Sequence, residues 1–206
     1  MQGDSAARRF LEYKNILRKL KSLGFTRVFS SNLADTLGIS ASLVRKDFLN
    51  LTTVGNKRGG YKITELLNEI NSVLCKEKET KAAIVGIGKL GSALLNYKNF
   101  ADEHIRFAAA FDIEVDKLGI TTDVPLYHVD QLTEIIKKNK IEIGVLTVPA
   151  LVVQRIADLM VLAGVKGFLN FAPIRLKLPN GCYENQINLA IELERVVLEV
   201  ANIKNL

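Results

Sequence analysis

Apolar residues in the first third of the chain recur at intervals of three and four, the spacing of one helical face. The first run predicts a helix that ends at Gly24, with apolar positions Phe10, Leu11, Ile16, Leu17, Leu20 and Leu23. "SSNLADTLG" predicts a short helix, capped by Ser30 or Ser31 and ended by a left-handed turn at Gly38. "ISASLVRKDFLNL" predicts a third helix with Ser40 as its cap. Helix, tight glycine turn and helix in this order predict a helix-turn-helix unit.

The next segment, "LTTVGNKRGGYKI", changes to β-branched residues around a basic, glycine-rich turn. This pattern predicts a β-hairpin wing with Lys57 and Arg58 at its tip. "TELLNEINSVLC" then returns to helical spacing, with Thr64 as the predicted cap, and the charged run "KEKETK" follows. These elements predict a winged helix-turn-helix domain over residues 1–76 and a linker over residues 77–81.

The rest of the chain alternates strand and helix patterns, as a doubly wound α/β sheet requires. Strands are predicted in "AAIV", "IRFAAAF", "IEIGVLTVP" and "VKGFLNFAP", and helices in "VDQLTEIIKKNK" and "ALVVQRIADLMVLAG". "NQINLAIELERVVLEVANI" predicts a long amphipathic helix after a short strand, and its apolar stripe favours a dimer contact. The predicted fold class is α/β, with a Rossmann-type parallel sheet over residues 82–188 and a dimerisation helix over residues 189–206.

Three glycines follow the first of these strands with the spacing Gly-x-Gly-x-x-Gly. Gly86 permits a tight turn, Gly88 lets the backbone approach a pyrophosphate, and Gly91 lets the helix pack on the strand. Asp112 ends the next apolar run about 20 residues later, where an acid can bind the adenosine ribose hydroxyls. Since no Arg follows Asp112 directly and its charge repels a 2′-phosphate, the predicted cofactor is NAD(H) rather than NADP(H).

Ligands of open parallel sheets bind beyond the carboxyl ends of the strands. The loops "TVP" and "NFAP" are therefore candidates for the nicotinamide side, although their prolines can equally be ordinary loop residues. The predicted cofactor-binding residues are Gly86, Ile87, Gly88, Lys89, Leu90, Gly91, Asp112, Thr147, Val148, Pro149, Asn170, Phe171, Ala172 and Pro173.

The net charge of +6 is unevenly distributed. Residues 1–62 hold twelve Lys and Arg against four Asp and Glu, whereas the remainder is nearly balanced. A compact basic segment is typical of phosphate-backbone binding, although a solvated basic face gives the same charge. Combined with the helix-turn-helix pattern, it predicts binding of double-stranded DNA through Ser31, Ser42, Arg45, Lys46, Lys57, Arg58 and Tyr61.

Composition places the chain among globular proteins, with 48% of its 206 residues hydrophobic and 24% charged. No apolar run approaches the ~18 residues of a membrane helix and the start lacks a signal peptide, so we expect a cytoplasmic protein without a membrane partner. Cys75 and Cys182 form no Cys-x-x-Cys pair, and His104 and His128 complete no metal-ligand spacing. We therefore expect no metal site.

Taken together, these segments resemble the redox-sensing transcriptional repressor family Rex. The resemblance extends along essentially the whole chain and is carried by "VRKD", "GIGKLGSALLNY", "AAFD", "PLYHVDQL", "LTVP" and "KGFLNFAP". It implies a homodimer whose swapped C-terminal helix reaches the partner subunit's DNA-binding domain. It also implies that operator DNA is bound with NAD⁺ or without ligand, and that NADH weakens this binding. Arg45 and Lys46 match the family's recognition helix, and Gly86, Gly88, Gly91 and Asp112 match its dinucleotide contacts.

The sequence departs from the family pattern in two places. After "VRKD" the family usually continues "LSYFGEFGKRGVGY", whereas this chain reads "FLNLTTVGNKRGGY" and lacks the aromatic-rich turn. For the redox switch, the resemblance implies an Arg in the first helix, a Tyr after the glycine-rich helix and an Asp before the partner's last helix. Asn15, Tyr97 and Asn188 stand at these positions, so only Tyr97, which is also a predicted cofactor contact, is retained. We therefore expect an altered or weakened redox response.

Two other functions remain open. An NAD-dependent dehydrogenase needs an acid or base near the nicotinamide, and neither histidine lies in the strand-end loops, so we predict no catalytic residue and no enzyme. The other alternative is a winged-helix regulator whose α/β half only dimerises. Binding of NAD(H) distinguishes this alternative from a redox sensor.

Overall fold

The computed structural model describes residues 2–49, 51, 59–74, 79–97, 99–115 and 122–204. The chain forms two compact units, Met1–Lys78 and Glu79–Leu206. Each unit encloses its own hydrophobic core, as separately packed domains do.

The first unit is mainly helical. Its elements are α1 (Gln2–Ser22), β1 (Arg27–Val28), α2 (Ser30–Leu37), α3 (Ala41–Phe48), β2 (Tyr61–Lys62) and α4 (Ile63–Val73). Apolar residues spaced at three and four on these helices meet in one core, which includes Phe10, Tyr13, Leu17, Leu33, Val44, Phe48, Ile63, Leu66 and Ile70. The helix-turn-helix predicted from the sequence corresponds to α2, the turn at Gly38 and α3.

The turn between α2 and α3 has the two features predicted from the sequence, a left-handed glycine and a serine cap. Gly38 adopts a left-handed conformation at the end of α2, with φ of 64°. Ser40 then caps α3, because its Oγ accepts the amide hydrogen of Leu43 at 3.2 Å.

The predicted caps of α2 and α4 are wrong. Ser30 and Ser31 lie inside α2, and Phe29 occupies the capping position, where its amide donates to Asn32 Oδ1 at 3.0 Å. Thr64 is the second residue of α4 and does not cap it. In both cases the helix begins before the residue with the preferred capping side chain, and in α2 the Asn32 side chain accepts the amide hydrogen of the capping residue Phe29 instead.

The two short strands pair antiparallel, with Arg27 opposite Lys62 and Val28 opposite Tyr61. β2 corresponds to the second strand of the predicted wing, whereas its partner β1 was not predicted. The tip of the predicted hairpin, including Lys57 and Arg58, lies outside the described residues.

The second unit is an α/β sheet domain. Its strands are β3 (Thr80–Val85), β4 (Ile105–Asp112), β5 (Leu126–His128), β6 (Ile143–Leu146), β7 (Gly167–Asn170) and β8 (Tyr183–Gln186). Its helices are α5 (Lys89–Leu95), α6 (Asn99–Asp102), α7 (Leu132–Asn139), α8 (Ala150–Ala163) and α9 (Leu189–Lys204), and a 3₁₀ turn (Val129–Gln131) precedes α7.

The six strands form one parallel sheet in the order β5-β4-β3-β6-β7-β8. Counted within the unit, this is the order 3-2-1-4-5-6 of a dinucleotide-binding Rossmann sheet. The strand order reverses between β3 and β6, and ligands of such sheets bind at this switch point. The predicted α/β fold class, a helix-turn-helix domain followed by a Rossmann-type parallel sheet, is confirmed.

Helices cover both faces of this sheet. Apolar residues of α7 and α8 pack on one face, in a core that includes Leu132, Ile136, Val153, Ala157, Met160 and Phe168. The other face carries a smaller core in which Leu94 and Leu95 of α5 and Phe100 of α6 pack against strand residues such as Ala82 and Ile84. Because both faces are covered, β3 and β4 are nearly continuous runs of buried residues.

Two boundaries differ from the sequence prediction. β3 begins at Thr80, so the last two residues of the predicted linker over residues 77–81 belong to a strand. The segment predicted as the closing helix contributes its first two residues, Asn185 and Gln186, to β8, and α9 begins at Leu189.

Candidate functional site

The turn after β3 requires glycine at two positions. Gly86 has φ of +93°, and a Cβ there would lie 2.9 Å from the carbonyl oxygen of Thr147 and 2.9 Å from Val148 Cγ1. A Cβ on Gly91, in the first turn of α5, would overlap the carbonyl oxygen of Gly86. These two glycines therefore let the turn close and let α5 pack against β3, as the sequence predicts.

Gly88 is different, because a Cβ at this position would meet no atom within 4 Å. It lies directly before α5 and is exposed, as are the first helical residues Lys89 and Leu90. The protein's own packing thus gives no reason for glycine here, and the open space in front of it suits a ligand that approaches the backbone closely. The side chain of Ile87 is 1% exposed, so only its backbone faces the turn.

Asp112 ends β4 beside the glycine turn. Its Oδ2 accepts the amide hydrogen of Ile87 at 2.6 Å, and its Oδ1 accepts that of Glu114 at 3.0 Å. Two backbone hydrogen bonds fix the carboxylate, and each oxygen keeps acceptor capacity for a ribose hydroxyl. Next to it lies an open cleft of about 570 Å³, lined by Ile113, Glu114, Val115, Leu126, Tyr127, His128 and Gln131.

The loop after β6 is tied to the glycine turn by Thr147. Its amide and its hydroxyl both reach the Val85 carbonyl at 3.0 Å, and the hydroxyl lies 2.6 Å from the Gly86 carbonyl oxygen. Thr147 therefore holds together the two strand ends that flank the switch point. Val148 is half-buried, and Pro149 is exposed immediately before α8.

Only two of the four predicted cofactor-binding side chains in the loop after β7 are accessible. Asn170 is fully buried and donates to Glu184 Oε1 and to the Ile174 carbonyl, both at 2.8 Å. Its Oδ1 accepts the Ala172 amide hydrogen at 2.9 Å, and the Ala172 side chain is itself buried. Asn170 and Ala172 thus shape the loop from inside, which leaves Phe171 and Pro173 as its more accessible side chains.

The predicted switch residues lie on three separate elements. Tyr97, just after α5, is about half exposed, and its ring meets the Phe100 ring edge-on at 5.2 Å. Asn188 caps α9, because its Oδ1 accepts the amide hydrogens of Ala190 at 3.1 Å and Ile191 at 3.3 Å. Asn15 is exposed on α1 of the first unit.

The first unit presents most of its predicted DNA-binding residues at the surface. Ser42, Arg45 and Lys46 are exposed on α3, and Ser31 is exposed on α2. Arg45 Nη1 lies 3.3 Å from Ser30 Oγ, a contact that joins the two helices of the helix-turn-helix. Tyr61 instead packs its ring edge-on against Phe48 at 5.2 Å, so much of this side chain serves the core.

Sequence reasoning missed a polar cluster that joins α1 to α3. Arg9 Nε and Nη2 donate to the two carboxylate oxygens of Asp47 at 2.7 and 2.6 Å, and the Tyr13 hydroxyl donates to Asp47 Oδ2 at 2.8 Å. One feature of the sequence indicates that Asp47 is buried: it lies three residues after the inward-facing Val44 and next to the buried Phe48. Its partners lie more than thirty residues away, so no local pattern identifies them.

Burial and hydrogen bonding shift the ionisation of this cluster in opposing ways. Burial raises the pKa of Asp47, but the hydrogen bonds from Arg9 and Tyr13 outweigh it and hold the pKa below its ordinary value. The hydrogen bond to Asp47 raises the pKa of Arg9, and burial raises that of Tyr13. At neutral pH the cluster is a fully charged pair with a neutral tyrosine.

Over the part of the chain that the structure describes, no helix is both long and apolar enough to cross a membrane. The same residues contain no group of three or more His, Cys, Asp or Glu side chains that could hold a metal ion.

Two family models match the chain. A model described as "CoA binding domain" matches residues 77–174, and one described as "Putative DNA-binding protein N-terminus" matches residues 4–48. The first of these matches begins two residues before the second unit, Glu79–Leu206, and the other lies within the first unit.

Curated relatives match nearly the full length of the chain. "Redox-sensing transcriptional repressor Rex" of Exiguobacterium sibiricum is 37% identical, with 94% of this chain and 89% of the relative covered. Its namesake from Listeria welshimeri is 34% identical, with 96% and 93% covered.

Among solved structures, RSP, a Rex-family repressor, is similar over 97% of this chain at 31% identity. The TM-score is 0.86 for RSP in complex with β-NAD⁺ and operator DNA, and 0.85 for RSP in complex with β-NADH; 93% and 94% of those chains are covered. The chain therefore belongs to the family of the redox-sensing transcriptional repressor Rex.

Proposed function

We propose that this protein is a homodimeric transcriptional repressor that binds operator DNA and responds to the ratio of NADH to NAD⁺. The observation that carries the proposal is the 2.6 Å hydrogen bond from the Ile87 amide to Asp112, which fixes a ribose-binding acid beside an open glycine turn. Support comes from the relatives named as redox-sensing repressors, and from RSP, which was solved with β-NAD⁺ and operator DNA and with β-NADH.

The residues present fit a dinucleotide. The open space at Gly88 accommodates a pyrophosphate against the backbone, and the amides at the start of α5 supply hydrogen-bond donors. Asp112 accepts the adenosine ribose hydroxyls with its remaining lone pairs. The loops after β6 and β7 supply Val148, Pro149, Phe171 and Pro173 for the nicotinamide side, while Thr147 and Asn170 hold those loops in place.

Asp112 also favours NAD(H) over nucleotides whose ribose is phosphorylated. NADP(H) carries a 2′-phosphate and CoA a 3′-phosphate on the adenosine ribose, and a carboxylate held at that ribose repels both. Although the matching family model is described as a CoA binding domain, we propose NAD(H) as the cofactor of this chain.

DNA binding is assigned to the first unit. The second helix of a helix-turn-helix enters the major groove, and α3 presents Ser42, Arg45 and Lys46 at the surface. Arginine and lysine bind guanine edges or phosphates in this setting. Lys57 and Arg58 are proposed as further phosphate contacts from the wing, and Ser31 from α2.

The exposed apolar face of α9 is the basis for proposing a homodimer. The exposed large apolar residues of this helix are Leu189, Ile191, Leu193, Val196, Val197, Leu198, Val200 and Ile203. Such a stripe on an exposed helix is typical of a protein interface. We assign it to a second copy of this chain, with α9 exchanged between subunits.

The response to NADH is proposed to be weaker than the family resemblance implies. Asn15 and Asn188 are uncharged at the positions where that resemblance implies an Arg and an Asp. An ion pair whose formation depends on the bound cofactor changes the relative stability of two conformations, whereas an amide pair changes it less. We further propose that the protein is not an enzyme and that it acts in the cytoplasm.

Fluorescence anisotropy of the RSP operator duplex tests the proposal directly. The protein should bind this duplex more tightly than a scrambled duplex of the same composition, and NADH should bind the protein while NADPH and CoA compete poorly. Release of DNA by NADH but not by NAD⁺ identifies a working redox repressor. If the protein binds neither this duplex nor any duplex selected from a random library, the proposed function is wrong.

Full release of the operator at low NADH concentration, with NAD⁺ ineffective, would contradict only the weakened response. Retention of DNA under both nucleotides, with NADH binding shown separately, supports it.

A further inference from the structure

The Arg9–Tyr13–Asp47 cluster contacts the last turn of the proposed recognition helix, α3. Asp47 follows Arg45 and Lys46 directly in α3, yet its side chain is only 6% exposed and that of Arg9 only 19%. The cluster is therefore largely buried in the first unit, whereas Arg45 and Lys46 of the same helix are exposed. This cluster takes no part in the function proposed so far.

The geometry of the cluster fixes more than one degree of freedom. The guanidinium of Arg9 meets both carboxylate oxygens of Asp47, so the planes of the two groups are aligned as well as their separation. The Tyr13 hydroxyl adds a third hydrogen bond from one helical turn further along α1. The ring of Tyr13 in turn meets the Phe48 ring edge-on at 5.2 Å, next to Asp47 in the chain.

The charge of Asp47 makes this arrangement relevant to DNA. An unpaired carboxylate in the last turn of α3 would repel phosphates close to Arg45 and Lys46, and it would be costly to bury. Arg9 removes both problems, because it neutralises the carboxylate inside the unit.

We propose that Arg9, Tyr13 and Asp47 are positioning residues for operator recognition, which set the orientation of α3 and neutralise its one carboxylate. This inference rests on the proposed DNA-binding function of the first unit. It assigns specificity to residues that do not themselves contact DNA. The orientation of α3 decides whether Arg45 and Lys46 reach base edges, whereas nonspecific attraction to phosphates depends mainly on charge.

The test is the ratio of affinities for an operator duplex and a scrambled duplex, measured by anisotropy at fixed salt with full-length protein. Loss of charge alone moves both affinities together, so the ratio separates orientation from electrostatics. Asp47→Asn removes a negative charge, which by itself would tighten binding to both duplexes. If the cluster orients α3, this variant should instead lose about tenfold or more in the operator-to-scrambled ratio.

Arg8→Gln is the matched control. Arg8 precedes Arg9 on α1, is 81% exposed and pairs with Glu12 at 3.8 Å. Its replacement removes the same positive charge as Arg9→Gln and should weaken both affinities without changing their ratio. Arg9→Gln should lower the ratio, Arg9→Lys should restore it in part, and the double variant Arg9→Gln/Asp47→Asn should bind more specifically than Arg9→Gln alone.

Tyr13→Phe keeps the ring contacts and removes one hydrogen bond, so it remains folded even if the charge variants unfold. It should lower the ratio by a few fold, and circular dichroism confirms that each variant is helical at the assay temperature. If wild-type protein discriminates the two duplexes and all folded variants keep its ratio, the positioning role is refuted. If wild-type protein shows no preference for any duplex, the proposed function itself has failed.

Discussion

A substitution at Gly88 tests the proposed cofactor site without disturbing the packing of the sheet domain. Its backbone has φ of −71° and ψ of −163°, which is extended geometry that any residue adopts, and a Cβ would meet no atom within 4 Å. Gly88→Val should therefore change the free energy of unfolding by less than about 1 kcal/mol. In the proposed complex with NADH, we expect the added side chain to block the pyrophosphate.

The loss of NADH affinity follows from the hydrogen bonds that the displaced phosphate gives up. A hydrogen bond to a charged group contributes about 1.5–3 kcal/mol, so loss of one weakens NADH binding roughly 10- to 150-fold. NADH fluorescence titration measures this loss, and operator affinity without nucleotide should remain at the wild-type value. Gly91→Ala is the contrasting variant, because its Cβ overlaps the Gly86 carbonyl and should lower the melting temperature.

Wild-type NADH affinity in folded Gly88→Val would show that the pyrophosphate does not pass this residue. The assignment of the glycine turn would then have to be abandoned. A large drop in melting temperature would instead contradict the open space seen in front of Gly88.

Three further outcomes are expected. Thr147→Val removes the hydroxyl that donates a hydrogen bond to the Gly86 carbonyl. It should lower the free energy of unfolding by about 1 kcal/mol and weaken NADH binding. If both values stay unchanged, this hydrogen bond does not stabilise the site. The pKa of Asp47 is lowered in the folded protein, so its ion pair with Arg9 stabilises the first unit above about pH 4. This stabilisation is lost as the pH falls through the lowered pKa. The difference in unfolding free energy between wild type and Asp47→Asn should therefore shrink only in acid. Val196→Glu places a charge on the apolar face of α9 and should shift sedimentation from dimer to monomer; an unchanged dimer would locate the interface elsewhere.

Local sequence patterns were sufficient to predict the part of the candidate site that lies in the segment from β3 through α5 to β4. The strand, the three glycines and Asp112 all lie between residues 80 and 112, and each is dictated by a backbone requirement or by the end of a buried strand. The parallel sheet order follows from the same repetition of strand and helix. These features were predicted without knowledge of any distant contact.

Some residues have structural contacts with distant partners that the sequence did not predict. Asn170 was expected to face the cofactor, but Glu184 and the Ile174 carbonyl, reached only after the chain turns back, draw its side chain inward. Tyr61 was expected to contact DNA, yet Phe48 offers its ring a packing partner. Asp47 was given no role from the sequence, because its partners Arg9 and Tyr13 lie on α1. Buried polar groups acquire partners through tertiary structure, which sequence spacing does not reveal.

At position 188, the helix-capping role of the side chain does not depend on its charge. Asn188 caps α9 through its side-chain oxygen, and an aspartate would cap the helix in the same way. Asparagine thus keeps the start of α9 intact while removing the charge that the family resemblance implies there. A ligand shifts an equilibrium between conformations only by its difference in affinity for them, so losing a state-dependent ion pair reduces that shift without unfolding the helix. If NADH nevertheless releases operator DNA, the required difference must come from uncharged contacts, and Tyr97, the one retained switch residue, is the first side chain to replace with phenylalanine.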